Sequence, residues 1–120
     1  MQDKKPVVLV VDDDPLMRFA AADAAMDAGF EVFEAQDAQD ALRELEKRPQ
    51  IQILFTDIDM PGMDGLKLAE AARRRWASLK VVLFSGKLVP EPGQIPAGGH
   101  FLSKPFWPGQ VSATLNRALA

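Results

Sequence analysis

The feature that most constrains the fold is the alternation of short apolar runs with segments of helical spacing. Short apolar runs between turn residues are typical of strands that are buried on both faces. The predicted strands are 7–11, 30–35, the stretch that opens at Ile51, 80–85 and 100–103. The predicted helices are 15–28, a segment between Asp37 and Pro49, a segment marked by Leu66 to Trp76, and a last helix that begins at Pro108.

This alternation predicts an α/β fold with helices on both faces of one parallel sheet. Right-handed crossovers leave few strand orders, and we expect the flavodoxin-like, doubly wound five-stranded order 2-1-3-4-5. Its switch point lies between strands 1 and 3, so a ligand crevice is expected at their C-terminal ends. We expect residues 1–120 to form a single domain without an output domain.

Several apolar residues mark the predicted helices, and polar or turn residues mark their ends. Pro15 fits the first turn of helix 1, Gly29 its stop, and Asp37 the N-cap of the second helix. Leu16, Phe19 and Met26 fall near one face of the first helix. The residues expected to point inward in the later helices are Ala41, Leu42, Leu45, Leu66, Ala69, Ala72, Trp76, Val111, Leu115 and Leu119.

The segment 87–99 departs from the repeat. A fourth helix is expected there, but the segment contains Pro90, Pro92 and Pro96 together with three glycines. A proline in a helix interior costs about 3 kcal/mol. The sequence therefore predicts a degraded or absent fourth helix, replaced by an irregular loop with at most one helical turn.

Acidic and basic side chains follow the predicted strand ends. Asp12 and Asp13 follow strand 1, Asp57 ends strand 3, and Lys104 follows strand 5. Clustered carboxylates raise one another's pKa or recruit a cation, and oxygen ligands favour a hard ion such as Mg²⁺ (or Mn²⁺). With the Ser85 hydroxyl at the end of strand 4, this set suits in-line phosphoryl transfer to Asp57.

Composition excludes several classes of function. The net charge of −3 does not favour nucleic acid or an anionic membrane as a partner. The absence of cysteine excludes thiolate chemistry, and a single histidine excludes a histidine-rich metal site. No signal peptide is visible at Met1 to Lys5, and no apolar run approaches the ~20 residues of a membrane span, so a cytoplasmic location is expected.

Together these motifs resemble the response-regulator receiver domain of two-component signalling. The matching stretches span nearly the whole chain in the right order. They are Val10-Val-Asp-Asp-Asp-Pro15, Thr56-Asp-Ile-Asp-Met-Pro-Gly-Met-Asp-Gly65, Ser85-Gly86 and Phe101-Leu-Ser-Lys-Pro-Phe106. The resemblance implies a stand-alone phosphoacceptor switch rather than an enzyme, with only self-catalysed phosphotransfer and autodephosphorylation. Its implied partners are a histidine kinase or histidine phosphotransfer protein and an unknown output protein.

The resemblance also implies roles for single residues. Asp57 is the expected phosphoacceptor and a metal ligand, with Asp13 binding the metal directly and Asp12 largely through water. The backbone carbonyl of Asp59 is a further expected ligand. Lys104 is the expected phosphate-binding lysine, and its bond to Pro105 is expected to be cis. Ser85 and Phe101 occupy the switch positions of the family.

Two other functions stay open from the residues alone. Asp57 and Asp59 form the Asp-x-Asp pair of haloacid-dehalogenase-type phosphatases, although Asp12 and Asp13 have no role in such an enzyme. A binding module that works without phosphorylation is the third hypothesis. The acidic Asp59 is itself unusual in the receiver resemblance, where its side chain is expected to approach the phosphoryl group and alter autodephosphorylation.

Overall fold

The computed structural model describes residues 4–120. The expectation that Met1 to Lys5 carry no signal peptide therefore falls partly outside the described residues. One five-stranded parallel sheet has the order 2-1-3-4-5. The strands are β1 (Val7–Val11), β2 (Glu31–Ala35), β3 (Ile53–Asp57), β4 (Lys80–Ser85) and β5 (His100–Ser103). The helices are α1 (Pro15–Asp27), α2 (Ala38–Lys47), α3 (Gly65–Arg75) and α4 (Pro108–Leu119). The predicted flavodoxin-like fold is confirmed.

The central strands are buried because helices cover both faces of the sheet. Every residue of β1 and β3 is buried, as the unbroken apolar runs predict. One core lies between the sheet and helices α2 and α3, and the other lies between the sheet and helices α1 and α4. Among residues 4–120, no helix combines the length and the hydropathy that crossing a membrane requires.

Helix α1 packs through alanines rather than through its large apolar residues. Its buried residues are Ala21, Ala22, Ala24 and Ala25. Leu16, Phe19 and Met26 do not form this face, and Leu16 and Phe19 are 81% and 65% exposed. Small side chains let α1 approach the sheet and α4 closely, so the large side chains remain outside this interface. The large residues thus mark the helix correctly but do not identify its buried face.

Most expected inward positions of the other helices are buried or half-buried. Ala41, Leu45, Ala69, Ala72, Val111 and Leu115 are buried, whereas Leu42, Leu66, Trp76 and Leu119 are half-buried at the edges of the two cores. Aspartates begin the first three helices, where Asp14, Asp37 and Asp64 each accept a hydrogen bond from a backbone N–H of the first turn. Gly29, at φ +95°, ends the turn after α1.

The segment between β4 and β5 contains no α-helix, as its prolines predict, and only the 3₁₀ turn Pro92–Gln94 is regular. Two contacts hold the second half of this segment against the rest of the fold. Ile95 packs against the core beside α3, and Arg73 Nη2 donates a hydrogen bond to the Ala97 carbonyl at 3.0 Å. The loop is therefore attached to α3 near its C-terminal part, while its first residues follow directly from β4.

Gly65 fixes the start of α3 against the end of β3. Its N–H donates a hydrogen bond to the Ile58 carbonyl at 3.0 Å. A Cβ atom at this position would clash with the carbonyl oxygen of Asp57 and would lie 2.9 Å from the Ile58 Cα. Both obstacles are backbone atoms, so a larger residue would have to displace the chain next to Asp57.

We predict that Gly65→Ala lowers the free energy of unfolding by about 1 to 3 kcal/mol, because the added methyl group overpacks a backbone contact. Urea unfolding monitored by circular dichroism measures the change. Gly109→Ala is the matched control, since a Cβ atom there meets nothing within 4 Å and alanine favours a helix. Equal stability of the two variants would contradict this account of Gly65.

Candidate functional site

The sheet register brings the polar residues of the strand ends together. Val11 pairs with Thr56 in the β1–β3 ladder, so the next residues, Asp12 and Asp57, lie side by side. Ser85 and Ser103 are register partners at the end of the β4–β5 ladder, and Lys104 follows immediately. Four strands that end at one edge of the sheet thus place the predicted residues in one crevice.

Three carboxylates form a compact group in this crevice. One oxygen from each of Asp12, Asp13 and Asp57 lies within 4.8 Å of the others. Asp12 and Asp57 are buried, with Asp57 4% exposed, whereas Asp13 is exposed at the mouth of the crevice. The predicted acidic cluster is therefore formed by the side chains themselves.

Asp12 is held by two neighbours and is still incompletely satisfied. Its Oδ1 accepts a hydrogen bond from the Asp14 N–H at 3.0 Å, and Arg18 Nη1 donates to its backbone carbonyl at 2.8 Å. Within residues 4–120, its buried Oδ2 has no hydrogen-bond partner, and its nearest cation is Lys104 Nζ at 3.5 Å. Burial raises the pKa of Asp12 above its usual value, and the charge of Asp13 adds to that rise.

Asp57 lies between a cation and a backbone donor. Its Oδ2 is 3.6 Å from Lys104 Nζ, and its Oδ1 accepts a hydrogen bond from the Asp59 N–H at 3.3 Å. Burial, followed by the charge of Asp12, raises the pKa of Asp57 to about 6 against the opposing effect of Lys104. At neutral pH most of the Asp57 carboxyl groups are ionised, which a nucleophilic carboxylate requires.

Lys104 bridges the two buried carboxylates. Its ammonium group lies 5.0 Å from the centroid of the Phe84 ring, and 17% of its side chain is exposed. The peptide bond from Lys104 to Pro105 is cis, as predicted. The lysine is therefore in position to neutralise negative charge that arrives at the open side of Asp57.

The Ser85 side chain is buried and takes part in three hydrogen bonds. Its hydroxyl donates to Asp59 Oδ2 at 2.6 Å. Its oxygen accepts bonds from the backbone N–H groups of Lys87 and Leu88 at 3.1 and 2.9 Å. Ser85 thus connects the strand ends to the first residues of the loop between β4 and β5.

The geometry is that of an acidic cluster beside one lysine, a set that can bind a divalent cation. A family model described as the response regulator receiver domain matches residues 8–116. The chain belongs to this receiver-domain family. Receiver domains are the phosphoacceptor switches of two-component systems, and membership of this family supports the same function for this chain. The phosphatase and binding-module alternatives are not favoured.

Curated relatives include a sensor histidine kinase and a response regulator receiver protein. The sensor histidine kinase RcsC of Escherichia coli is 34% identical over 112 residues, which cover 91% of this chain but 12% of that kinase. The response regulator receiver protein CpdR of Brucella abortus is 34% identical over 106 residues, covering 85% of this chain and 86% of that protein. The chain therefore spans about an eighth of the sensor kinase that it matches.

Solved receiver structures have the same fold. The chemotaxis protein CheY4 of Vibrio cholerae has a TM-score of 0.86 and 28% identity, over 96% of this chain and 99% of that one. The receiver domain of the hybrid histidine kinase CckA has a TM-score of 0.81 and 30% identity, over 95% of this chain and 99% of that one.

The receiver domain's acidic group fits a divalent cation. Receiver domains bind Mg²⁺ in an acidic pocket, and here the buried, unpartnered Oδ2 of Asp12 faces the same cluster as Asp13 and Asp57. All the donors are oxygens, which match a hard cation. Asp12, Asp13 and Asp57 are the side chains that could hold it, whereas the proposed ligation by the Asp59 carbonyl stays a prediction.

Sequence reasoning missed three contacts that position the receiver site. Arg18 holds the Asp12 backbone and also pairs with Glu34 at 3.2 Å. The Thr56 hydroxyl is buried and donates to the Asp57 carbonyl at 3.0 Å. The third is the bond between Asp59 and Ser85, which differs from the sequence-based expectation that the Asp59 side chain approaches the phosphoryl group. The pairs Arg18–Glu34 and Ser85–Asp59 join residues distant in sequence, whereas the Thr56–Asp57 bond joins adjacent residues and depends on the side-chain rotamer.

Phe101, the predicted switch aromatic, is half-buried and packs against the core beside α2 and α3. It follows the loop 87–99 by two residues and pairs with Leu83 in the sheet. The structure therefore places Phe101 outside the carboxylate cluster but on the strand next to Ser85. Its role as a switch residue stays a prediction.

We predict that Asp57→Asn stabilises the metal-free receiver domain at neutral pH. The pKa of Asp57 is raised to about 6 from 3.8, so ionisation opposes folding as the pH rises through this window. The advantage of the variant should grow from near zero at about pH 4 to about 1 to 3 kcal/mol at about pH 7.5. Urea unfolding in EDTA at several pH values measures it. An equal stability difference between the variant and the wild type at the lowest and highest pH values would contradict a raised pKa for Asp57.

We predict that Mg²⁺ stabilises the wild-type domain, because the ion offsets repulsion among carboxylates that only the folded state brings together. A ligand present at about 100 times its Kd adds about 2.7 kcal/mol to the free energy of unfolding. Thermal unfolding with increasing MgCl₂ measures the gain. Asp13→Asn should reduce it, while Asp23→Asn, which removes an exposed charge from α1 away from the cluster, should not. Equal responses of the two variants would argue against a site at Asp13.

Proposed function

We propose that Asp57 accepts a phosphoryl group from a phosphohistidine on a histidine kinase or a histidine phosphotransfer protein. The observation that carries the proposal is the buried Asp57 carboxylate, which lies beside both the Asp12–Asp13 pair and the Lys104 ammonium group.

In the proposed transfer, a carboxylate oxygen of Asp57 forms a bond to phosphorus while the bond from phosphorus to the donor's imidazole nitrogen breaks. The electron pair of the broken bond stays on that nitrogen, and the product is an acyl phosphate. When bound at the acidic group, Mg²⁺ would supply charge neutralisation for the phosphoryl oxygens. Lys104 would pair with one of these oxygens, since its ammonium group is 3.6 Å from the acceptor carboxylate.

The state of Asp57 before transfer follows from its surroundings. The Asp59 N–H holds Oδ1 at 3.3 Å and so fixes the rotation of the carboxylate. The Thr56 hydroxyl holds the Asp57 carbonyl from the other side of the residue. With its rotation restricted by the Asp59 N–H, the carboxylate favours one orientation toward an incoming phosphorus atom, which lowers the entropic part of the barrier.

The proposed output is a rearrangement of the segment that follows β4. Ser85 accepts hydrogen bonds from Lys87 and Leu88, so a new position of its hydroxyl changes the start of the loop. The loop leads through residues 87–99 to Phe101. We propose that this surface contacts an output protein and that Ser85 and Phe101 are the switch residues.

Exposed apolar residues next to the site support docking by a protein donor. Leu16 lies in the first turn of α1, two residues after Asp14, and Phe19 lies about one turn further. Trp107, three residues after Lys104, is 75% exposed. Apolar side chains exposed beside a reaction site favour a protein partner over a small substrate. The proposal includes a location in the cytoplasm and no enzymatic turnover.

The proposal predicts that acetyl phosphate with Mg²⁺ adds one phosphoryl group to the wild-type domain and none to Asp57→Asn. Acetyl phosphate supplies the group without a protein donor, so the test depends on the acceptor site alone. Intact-protein mass spectrometry within minutes of mixing measures the adduct. Labelling of the variant to the wild-type level would show that Asp57 is not the acceptor.

Lys104→Met serves as a second variant in the same assay. It keeps an unbranched side chain of similar length but removes the charge that faces Asp57. We expect slower labelling at the same residue, because the phosphoryl oxygens lose a cation. An unchanged rate would remove Lys104 from the proposed chemistry and leave the assignment of Asp57 intact.

A further inference from the structure

The Ser85 hydroxyl has no hydrogen-bonding capacity left in this structure. It carries one proton, which is donated to Asp59 Oδ2 over 2.6 Å. Its two acceptor positions are filled by the N–H groups of Lys87 and Leu88. The side chain is 1% exposed, so water does not offer the hydroxyl an alternative acceptor. A short bond to a charged acceptor in such a place is stronger than one between neutral groups.

A phosphoryl group on Asp57 would need the same proton. The proposed role of Ser85 is to donate a hydrogen bond to a phosphoryl oxygen, and a serine hydroxyl has only one hydrogen to donate. Asp59 is therefore a competing acceptor built into the site. The hydroxyl cannot satisfy both acceptors, so gaining the phosphoryl contact requires losing the contact to Asp59.

Asp59 is placed so that it can release the hydroxyl. Its side chain is half-buried, in contrast to Ser85, so the freed carboxylate can be hydrated without a large movement. A phosphoryl group on Asp57, two residues away, would also add negative charge near this carboxylate. This added repulsion would oppose the bond between Asp59 and Ser85 more strongly in the phosphorylated state than in the unphosphorylated state.

We propose that Asp59 is a positioning residue that latches Ser85, and with it the start of the 87–99 loop, in the unphosphorylated arrangement. The inference rests on the proposed function and adds to it an interaction that stabilises the unphosphorylated state. The latch consists of Asp59 Oδ2, the Ser85 hydroxyl and the two loop N–H groups. Breaking the bond between Asp59 and Ser85 uses part of the free energy that phosphorylation supplies.

The first test is a double-mutant cycle on the binding of beryllofluoride, a phosphoryl mimic, in the presence of Mg²⁺. Asp59→Ala removes the competing acceptor and should tighten binding by about tenfold, the factor that corresponds to ~1.4 kcal/mol for a bond to a charged group. In a Ser85→Ala background there is no hydroxyl to release, so the gain from Asp59→Ala should fall to a small remainder. Fluorescence titration or calorimetry measures the four affinities.

Asp59→Asn separates the hydrogen bond from simple repulsion. Asparagine keeps an acceptor oxygen for Ser85 but has no charge, so a latch predicts a smaller gain than for Asp59→Ala. Repulsion alone predicts equal gains for the two variants and the same gain with or without Ser85. Either of these last results would overturn the latch.

The second test uses the free protein and does not depend on phosphorylation. Asp59→Ala should speed amide hydrogen exchange at Lys87 and Leu88 by about tenfold, because Ser85 no longer has a fixed orientation. The Gln94 N–H, which donates to the Glu91 carbonyl within the same loop, is the internal control and should not change. Unchanged exchange at Lys87 and Leu88 would contradict the latch. Failure of the wild-type protein to bind beryllofluoride would instead contradict the proposed function.

Discussion

The structure depends on keeping two carboxylates, Asp12 and Asp57, buried side by side at the C-terminal edge of the sheet. Burial disfavours the charge of each, and each charge disfavours the other. In the part of the chain that the structure describes, Lys104 supplies the one ammonium group that lies within 3.6 Å of both. One cation cannot neutralise this group together with Asp13, so the site retains an excess of negative charge. That excess is the physical reason why the receiver domain can attract a divalent cation and, with it, a phosphoryl group.

The rigid sheet keeps the repelling carboxylates close together. The carboxylates follow β1 and β3, strands whose every residue is buried and whose register is fixed by parallel pairing. Gly65 lets α3 start against the Asp57 carbonyl, and Arg18 holds the Asp12 carbonyl. The charged groups therefore cannot move apart to relieve their repulsion. Burial of apolar side chains in the two cores on either side of the sheet offsets the free-energy cost of burying these charges.

The fold and the members of the site could be predicted from sequence because they depend on local patterns. Apolar runs that end in Asp12, Asp57 and Ser85 specify buried strands, and topology then determines which ends meet. The loop before β5 was predictable for the same reason, since proline excludes a helix without reference to any neighbour. The buried face of α1 could not be predicted in this way. The distance between a helix and the sheet decides whether alanine or leucine fits between them, and local sequence does not specify this distance. The partner of Asp59 was also hidden, since a carboxylate two residues after the acceptor can turn toward the ligand or toward β4.

The alanine face of α1 has a further consequence. In most helices the large apolar residues are committed to the core, so changing them alters stability. Here Ala21, Ala22, Ala24 and Ala25 hold the helix in place, while Leu16 and Phe19 point away from the core. The two sides of one helix are thus free to vary independently. Substitutions on the outer side, the proposed docking surface for a protein donor, would then change that surface while the inner side preserves the architecture, so a duplicated copy of such a domain could change its surface without first becoming less stable.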